Sequence, residues 1–290
     1  MISKETQHEW DKWIAVTRSR CHLHFVVEGG TIATHIAAGM ESGRMTAQRV
    51  AIETDVRPQS ILEVGSSVGF NCFGLALHYP NALIVGIEPD AEAVDVATRT
   101  ARDFGITNIE FTTGVAEALP FDDGRFDLIV CHTVIEHVQN VDKSIMQMAR
   151  VLKPGGQLHI EAPNYIWPEE PHVQIIMPPL CPKPIMKLLG HLQGKSADIA
   201  YVGHLQLVYP RWIERNFRRG GLTWTNLVEQ KLQRAAEGDY SQIVAYKRAA
   251  ALLARLRKWR LDKLAIRILL ACSMYPSLIY TATKGEAGKT

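Results

Sequence analysis

The sequence predicts an α/β protein built on a mostly parallel sheet, and three observations carry that expectation. Between residues 60 and 163, short apolar runs alternate with helical segments, the pattern of right-handed crossovers between parallel strands. The runs are apolar throughout, as in LIVGI and FDLIV, which suits strands covered on both faces. The first run, ending Leu62–Glu63–Val64, breaks into the small-residue loop Gly65–Ser66–Ser67–Val68–Gly69. A parallel strand ends this way in a tight turn against a nucleotide-like ligand.

Each element follows in order. Residues 1–59 read mostly as helix, with Trp10, Trp13 and Ile14 on one early face and a second helical segment at 44–54 stopped by Arg57–Pro58. Strands are expected at 60–64, 83–88, 109–113, 126–131 and 157–162, with helices at 71–78, 91–104 and 142–151. Residues 163–184 carry seven prolines, which bar regular helix and central strand. A loop of that length leaving the C-terminal end of a strand is either functional or a rigid connector. Beyond it the pattern predicts a helix over 209–220, a strand over 223–230, a basic helix over 242–272 and a final strand over 277–284.

Bulk properties narrow the class. A 290-residue chain with 47% hydrophobic and 21% charged residues is ordinary for a globular protein with an ample core. The net charge of +2 sets up no field that would call for a nucleic acid partner. Cysteines at 21, 72, 131, 181 and 272 include no close pair. That spacing excludes a C-x-x-C redox or zinc motif and favours free thiols in a reducing, cytoplasmic setting. The polar start MISKETQHEWDKW lacks the apolar core of a secretory signal. The longest apolar stretch, 264–282, is interrupted by Arg267 and Pro276, against a spanning helix.

Four further landmarks sit at the ends of the expected strands. Glu88 closes the second (IVGIEPD), where a carboxylate can accept both hydroxyls of a ribose. It could instead cap the next helix, a role for which Asp90 is well placed. The loop Gly114–Val115–Ala116–Glu117–Ala118–Leu119–Pro120–Phe121 can read an adenine edge through backbone N–H groups, with Leu119 and Phe121 over the ring. FDLIVCHTVIEHV and LKPGG complete the set.

This ordered set resembles the class I S-adenosylmethionine-dependent methyltransferases, and is most similar to their small-molecule, quinone-methyltransferase-like branch. The likeness is strong over about 60–163 and weaker over 204–221. It implies a Rossmann-like seven-stranded mixed sheet, last strand antiparallel, sandwiched by helices. The resulting partition is an N-terminal helical cap (1–59), a cofactor-binding core (60–163), a proline-rich acceptor lid (164–205) and a segment completing the sheet (206–290), all one domain. It also implies S-adenosylmethionine as cofactor. Gly65, Ser66 and Gly69 would line its methionine part, with Glu63 beneath. Glu88, beside Pro89, would hold the ribose, Ala116 and Glu117 would meet the adenine, and Cys131 and His132 would flank the sulfonium. Two positions depart from the family pattern: Ser67 stands for the middle glycine of the turn, and Val115 for a frequent aspartate. A dinucleotide-binding Rossmann enzyme is the competing reading, but the turn lacks G-x-G-x-x-G.

Methyl transfer to oxygen needs a proton removed, and histidine is the usual agent near pH 7. His132 is the first candidate base, or else a cofactor contact. His137 and Glu136 read more as structural, though His137 remains a candidate. His172, among carboxylates on the lid, is a base or an orienting group; Tyr165 and Trp167 join it as acceptor-binding candidates. No second ligand set at helical spacing accompanies the HxxE-like cluster, so metal-independent transfer is expected. The apolar lid favours an aromatic, polyketide-like or lipid-linked acceptor. Eight Lys or Arg between 247 and 267 suit either peripheral contact with an anionic bilayer or a solvated, homo-oligomer-forming helix. A protein or nucleic-acid methyltransferase and a silent cofactor-binding scaffold are the alternatives.

Overall fold

Two N-terminal helices, α1 (Lys4–Arg20) and α2 (Ile32–Glu53), precede the alternating region. That region forms β1 (Ser60–Val64), α3 (Phe70–His78), β2 (Leu83–Glu88), α4 (Ala91–Asp103), β3 (Ile109–Thr113), β4 (Phe126–His132), α5 (Val141–Val151) and β5 (Leu152–Pro163). These elements come from a computed structural model that describes residues 2–20, 30–196, 199–237, 239 and 255–285. A two-residue hairpin follows, β6 (Glu169–Glu170) with β7 (Ile175–Ile176), then α6 (Lys183–Leu192) and a 3-10 turn at Ile199–Gly203. The chain closes with α7 (Pro210–Arg219), β8 (Leu222–Asn226), α8 (Leu227–Glu237), α9 (Asp262–Ala271) and β9 (Ser277–Lys284).

Seven strands lie in the order β3-β2-β1-β4-β5-β9-β8. The first five are mutually parallel, while β9 runs antiparallel between β5 and β8. The order reverses beside β1 and β4, which places a crevice at the carboxyl ends of these strands. Side-chain alternation splits the core in two. Ile61, Ile84, Leu128 and Val130 pack on the α2–α3 side. Leu62, Val85 and Ile129 pack on the other, with Ile145 and Met148 of α5 and Ile213 and Phe217 of α7. Trp10, Trp13 and Ile14 are buried as the sequence suggests, packed with Ala93 and Val96 of α4; the Trp10 indole donates to Thr100 Oγ1 at 3.0 Å.

Four expected elements are corrected. The second helix starts at Ile32, not 44, where Thr31 accepts from the Thr34 N–H, and it tolerates Gly39 and Gly43 in its interior. The strand expected over 223–230 stops at Asn226, because the Asn226 side chain accepts from the Glu229 N–H at 3.2 Å and starts a helix. The proline-rich segment yields a helix at Lys183, since Pro184 falls in the first turn where its missing N–H costs nothing. The long basic helix is broken before Asp262, with Arg260 at φ +59°; its stretch 242–254 lies outside the described residues. No helix among those described is long and apolar enough to cross a membrane.

Candidate active site

The turn after β1 is stapled to the end of β2. The Gly65 and Ser66 N–H groups donate to Ile87 O at 2.8 and 3.1 Å, and Ser67 N–H donates to Glu88 Oε2 at 2.9 Å. Glu88 Oε1 also takes the Asp90 N–H at 3.2 Å, while Asp90 itself caps α4. Gly65 has φ +74°, and a Cβ there would fall 2.3 Å from Val134 Cγ2, so only glycine fits. Ser67 also adopts the left-handed region, at φ +46°, a strain of roughly 1–2 kcal/mol where the family pattern has glycine. Pro89 is exposed beside Glu88.

Beneath the turn, Glu63 is buried, with Oε1 accepting from Asn71 at 2.8 Å. Its Oε2 and the Ser66 hydroxyl are buried without a hydrogen-bond partner among the described residues. Orphaned polar atoms beside a bare glycine turn fit a polar ligand in the crevice. Burial raises the Glu63 carboxyl to about 7, against hydrogen bonds from Cys72 and Asn71; the Glu88 charge adds to the rise. A group that holds its proton more tightly when folded stabilises the fold fully below its unfolded pKa, near 4.5. That contribution is lost as pH climbs through about 7. Glu63→Gln is expected to flatten the fall of the urea midpoint across that window. Parallel pH profiles for both proteins would refute the assignment.

At the exit of β4 the histidines divide into two groups. His132 Nε2 lies 2.7 Å from His159 Nδ1, and His159 Nε2 lies 2.9 Å from Glu53 Oε2 on α2. Lys231 of α8 completes this relay at 2.8 Å from Glu53. Burial, then the neighbouring His159 and Arg49, hold His132 well below its ordinary range, so it is neutral at pH 7. Burial would raise Glu53, but hydrogen bonds from His159 and Lys231 outweigh it and hold the carboxyl at about 2.

The second group joins the β4 exit to the hairpin. His137 and His172 have ring centroids 5.1 Å apart, with Tyr201 and His204 against them. Burial, then His172 and His204, lower His137 to about 4. Glu136 is fully buried beside them.

Other candidates land in different places. Ala116 is buried and Val115 exposed, but the Glu117 carboxylate is engaged, accepting from the Gln139 and Asn140 N–H groups at 2.7 and 3.1 Å. That engages one Glu117 oxygen away from an adenine, and leaves the loop backbone and the exposed Val115 side chain to meet it. Phe121 corrects the expectation that it covers a ring: it packs on Phe126 at the start of β4, the end opposite the crevice. Cys131 is fully buried in the larger core. Tyr165 is fully buried with its hydroxyl 3.5 Å from Glu170 Oε1, supporting the hairpin; Trp167 is half-buried. Of the apolar residues of the lid, Ile175 and Met177 are buried, whereas Ile176, Leu180 and Ile185 are exposed. Glu53, His159 and Tyr201 have no short-range signature that sequence reading can find; Glu170 is one of the lid carboxylates beside His172, and Glu136 stands in the IEHV motif.

Residues 57–198 match the family model described as a methyltransferase domain. The uncharacterized methyltransferase YcgJ of Bacillus subtilis is 32% identical over 111 residues, 38% of this chain and 42% of that protein. Its solved structure superposes with a TM-score of 0.50 at 18% identity, covering 87% of this chain and 100% of the YcgJ chain, a likeness of fold. Norajmaline N-methyltransferase of Rauvolfia serpentina is 32% identical over 48% of this chain and 50% of its own length. Ubiquinone biosynthesis O-methyltransferase of Coxiella burnetii is 31% identical over 38% and 45%. The chain thus spans about half the length of these curated relatives. The sequence match, the seven-stranded sheet with its antiparallel β9 and the glycine turn facing Glu88 agree: residues 57–198 carry a methyltransferase domain of the class I S-adenosylmethionine-dependent kind.

Proposed function

We propose that the protein transfers a methyl group from S-adenosylmethionine to an oxygen of a small-molecule acceptor with an apolar body. The observation that carries the cofactor half is the turn itself. Gly65 and Gly69 leave the main chain bare, Glu88 stands at the tip of β2, and Glu63 and Ser66 present unpartnered polar atoms below. The residues present fit the cofactor, with Glu88 toward the ribose hydroxyls and the backbone at Ala116 toward the adenine. Bound there, the cofactor supplies an activated methyl and a neutral thioether leaving group. The chain then has to align the acceptor, exclude water and deal with a proton.

Neutral imidazoles at the mouth support an oxygen acceptor, whose hydroxyl proton must leave, over an amine that attacks unaided. Relatives are named for transfer to oxygen in ubiquinone biosynthesis and to nitrogen on norajmaline, which supports a small-molecule acceptor of either kind. Calorimetry with S-adenosylmethionine is expected to give one site per chain. Absence of heat at millimolar cofactor would overturn the proposal. With a mixed panel of phenols and amines, methyl-group label should follow the phenols; label only on amines would replace oxygen with nitrogen.

A further inference from the structure

We propose that Glu136, His137 and His172 form a binding site for a divalent transition-metal ion of zinc-like ligand preference. The inference extends the methyltransferase reading only in what the ion would touch; its binding does not depend on that reading. One ligand atom from each of the three residues lies within 4.8 Å of the others. Glu136 Oε1 stands 3.8 Å from His137 Nε2 and 3.9 Å from His172 Nε2. These distances exceed a hydrogen bond. The Glu136 carboxylate thus faces both ring nitrogens without bonding to either. Bonds of about 2.0–2.1 Å to a shared ion would separate tetrahedral ligands by roughly 3.3 Å, so Glu136 would close by about half an ångström on each ring and the two rings by up to about 1.5 Å on each other.

The carboxylate is the independent observation. Glu136 is 0% exposed, and both of its oxygens are buried without a hydrogen-bond partner among the described residues. A buried acid without a hydrogen-bond donor is costly. The ligand atoms of two imidazoles are its nearest polar company in this cluster.

The outer contacts aim both rings inward. His172 Nδ1 lies 2.5 Å from Glu170 Oε1. A proton on that nitrogen leaves the Nε2 lone pair toward Glu136. Glu170 is itself locked, taking the His172 N–H at 3.1 Å, the Val173 N–H at 2.7 Å and the Tyr165 hydroxyl at 3.5 Å. His137 Nδ1 lies 3.3 Å from His204 Nε2, which turns its Nε2 the same way. A carboxylate behind a ligating ring, as Glu170 stands behind His172, is the usual outer support of a metal site.

Two imidazoles and one carboxylate suit zinc and its first-row neighbours better than magnesium or calcium, which prefer oxygen. Three protein ligands leave a fourth position open. The loop carrying Glu136 and His137 follows Val134, which lies against Gly65 of the cofactor turn. The open position would therefore accept a hydroxyl of the acceptor near the donor. As that oxygen binds, its proton passes to water; the O–CH3 bond then forms while the S–CH3 bond breaks, leaving the thioether.

The test uses the whole chain stripped with a chelator, then titrated with zinc chloride against a chromogenic chelator, without cofactor or acceptor. One zinc per chain is expected. Glu136→Gln and His172→Ala should each weaken it by roughly 100-fold, and Glu170→Gln by about 10–100-fold. Cobalt in place of zinc should show the intense visible bands of a tetrahedral site, lost in His172→Ala. Circular dichroism confirms that each variant is folded, and the cobalt spectrum of the unmodified chain needs no variant. No stoichiometric ion, or affinity unchanged in both His172→Ala and Glu136→Gln, would overturn the site. Zinc binding without cofactor binding would sink the methyltransferase reading alone; the reverse would sink only the metal site.

Discussion

A Gly43→Ala variant should be less stable than the unmodified protein by about 3 kcal/mol or more, a fall of roughly 5 °C or more in melting temperature. The sign is what makes the measurement informative. Gly43 is in the interior of α2, where alanine normally favours helix by about 1 kcal/mol. Packing reverses this. A Cβ on Gly43 would sit 1.9 Å from Phe70 O, and one on Gly74 of α3 would sit 2.0 Å from Gly43 O. Both obstacles are backbone, so no side chain can swing aside. The helices touch through these two glycines, and α3 begins immediately after the cofactor turn; separating them would also disturb Gly69. Ser42→Ala, at an exposed position of the same helix, is the control and should change little. A Gly43→Ala variant as stable as the unmodified protein would show that α2 and α3 do not meet this closely.

Glu88→Ala is expected to weaken S-adenosylmethionine by on the order of a hundredfold or more, measured by calorimetry. If the carboxylate takes both ribose hydroxyls, two charge-assisted hydrogen bonds are lost, each about 1.5–3 kcal/mol. The side chain has a second duty, since its oxygens hold the Ser67 and Asp90 N–H groups. Removing it releases the strained Ser67 and loosens the turn. Burial pushes the Glu88 carboxyl above its ordinary range, as for an acid held in a half-dry crevice. Glu88→Gln can still accept on one oxygen and should fall between the two. Equal affinity in all three proteins would refute Glu88 as the ribose ligand.

The alternating region was legible because its signals are local. Strand runs, the break at Gly65 and the Asp90 cap depend on a few neighbouring residues, and the observed elements match within one or two residues over most of 60–151. At β5 the strand begins early, with Leu152 paired to Phe126, and Lys153–Gly156 bulge out before the ladder resumes at Gln157. The miss at 223–230 had a readable signal, since Asn226 with Glu229 three residues on is a helix-start pattern. The helix from Ile32 did not: its glycines argue against helix until α3 is packed on them. Phe121 was misplaced because the loop between β3 and β4 returns to the base of the sheet, where Arg150 Nη1 and Nη2 donate to the Phe121 and Leu119 carbonyls.

By itself, the sequence determined the alternating parallel strands and the turn at their centre, because each is written in contiguous residues whose backbone preferences and periodicity are short-ranged. The class of cofactor and the antiparallel last strand follow from the resemblance of its ordered motifs to a family. Only the tertiary structure decided which side chains meet. His132 joins His159 and Glu53, 106 residues apart for the latter pair, while His172 comes from the hairpin to face Glu136 and His137. Spacing along the chain cannot reveal such sets, since they depend on how the sheet and the hairpin after β5 bring distant positions to one edge. The expectation of metal-free transfer follows from the lack of a second ligand set at helical spacing within one element, whereas the ligand set proposed here is assembled from two.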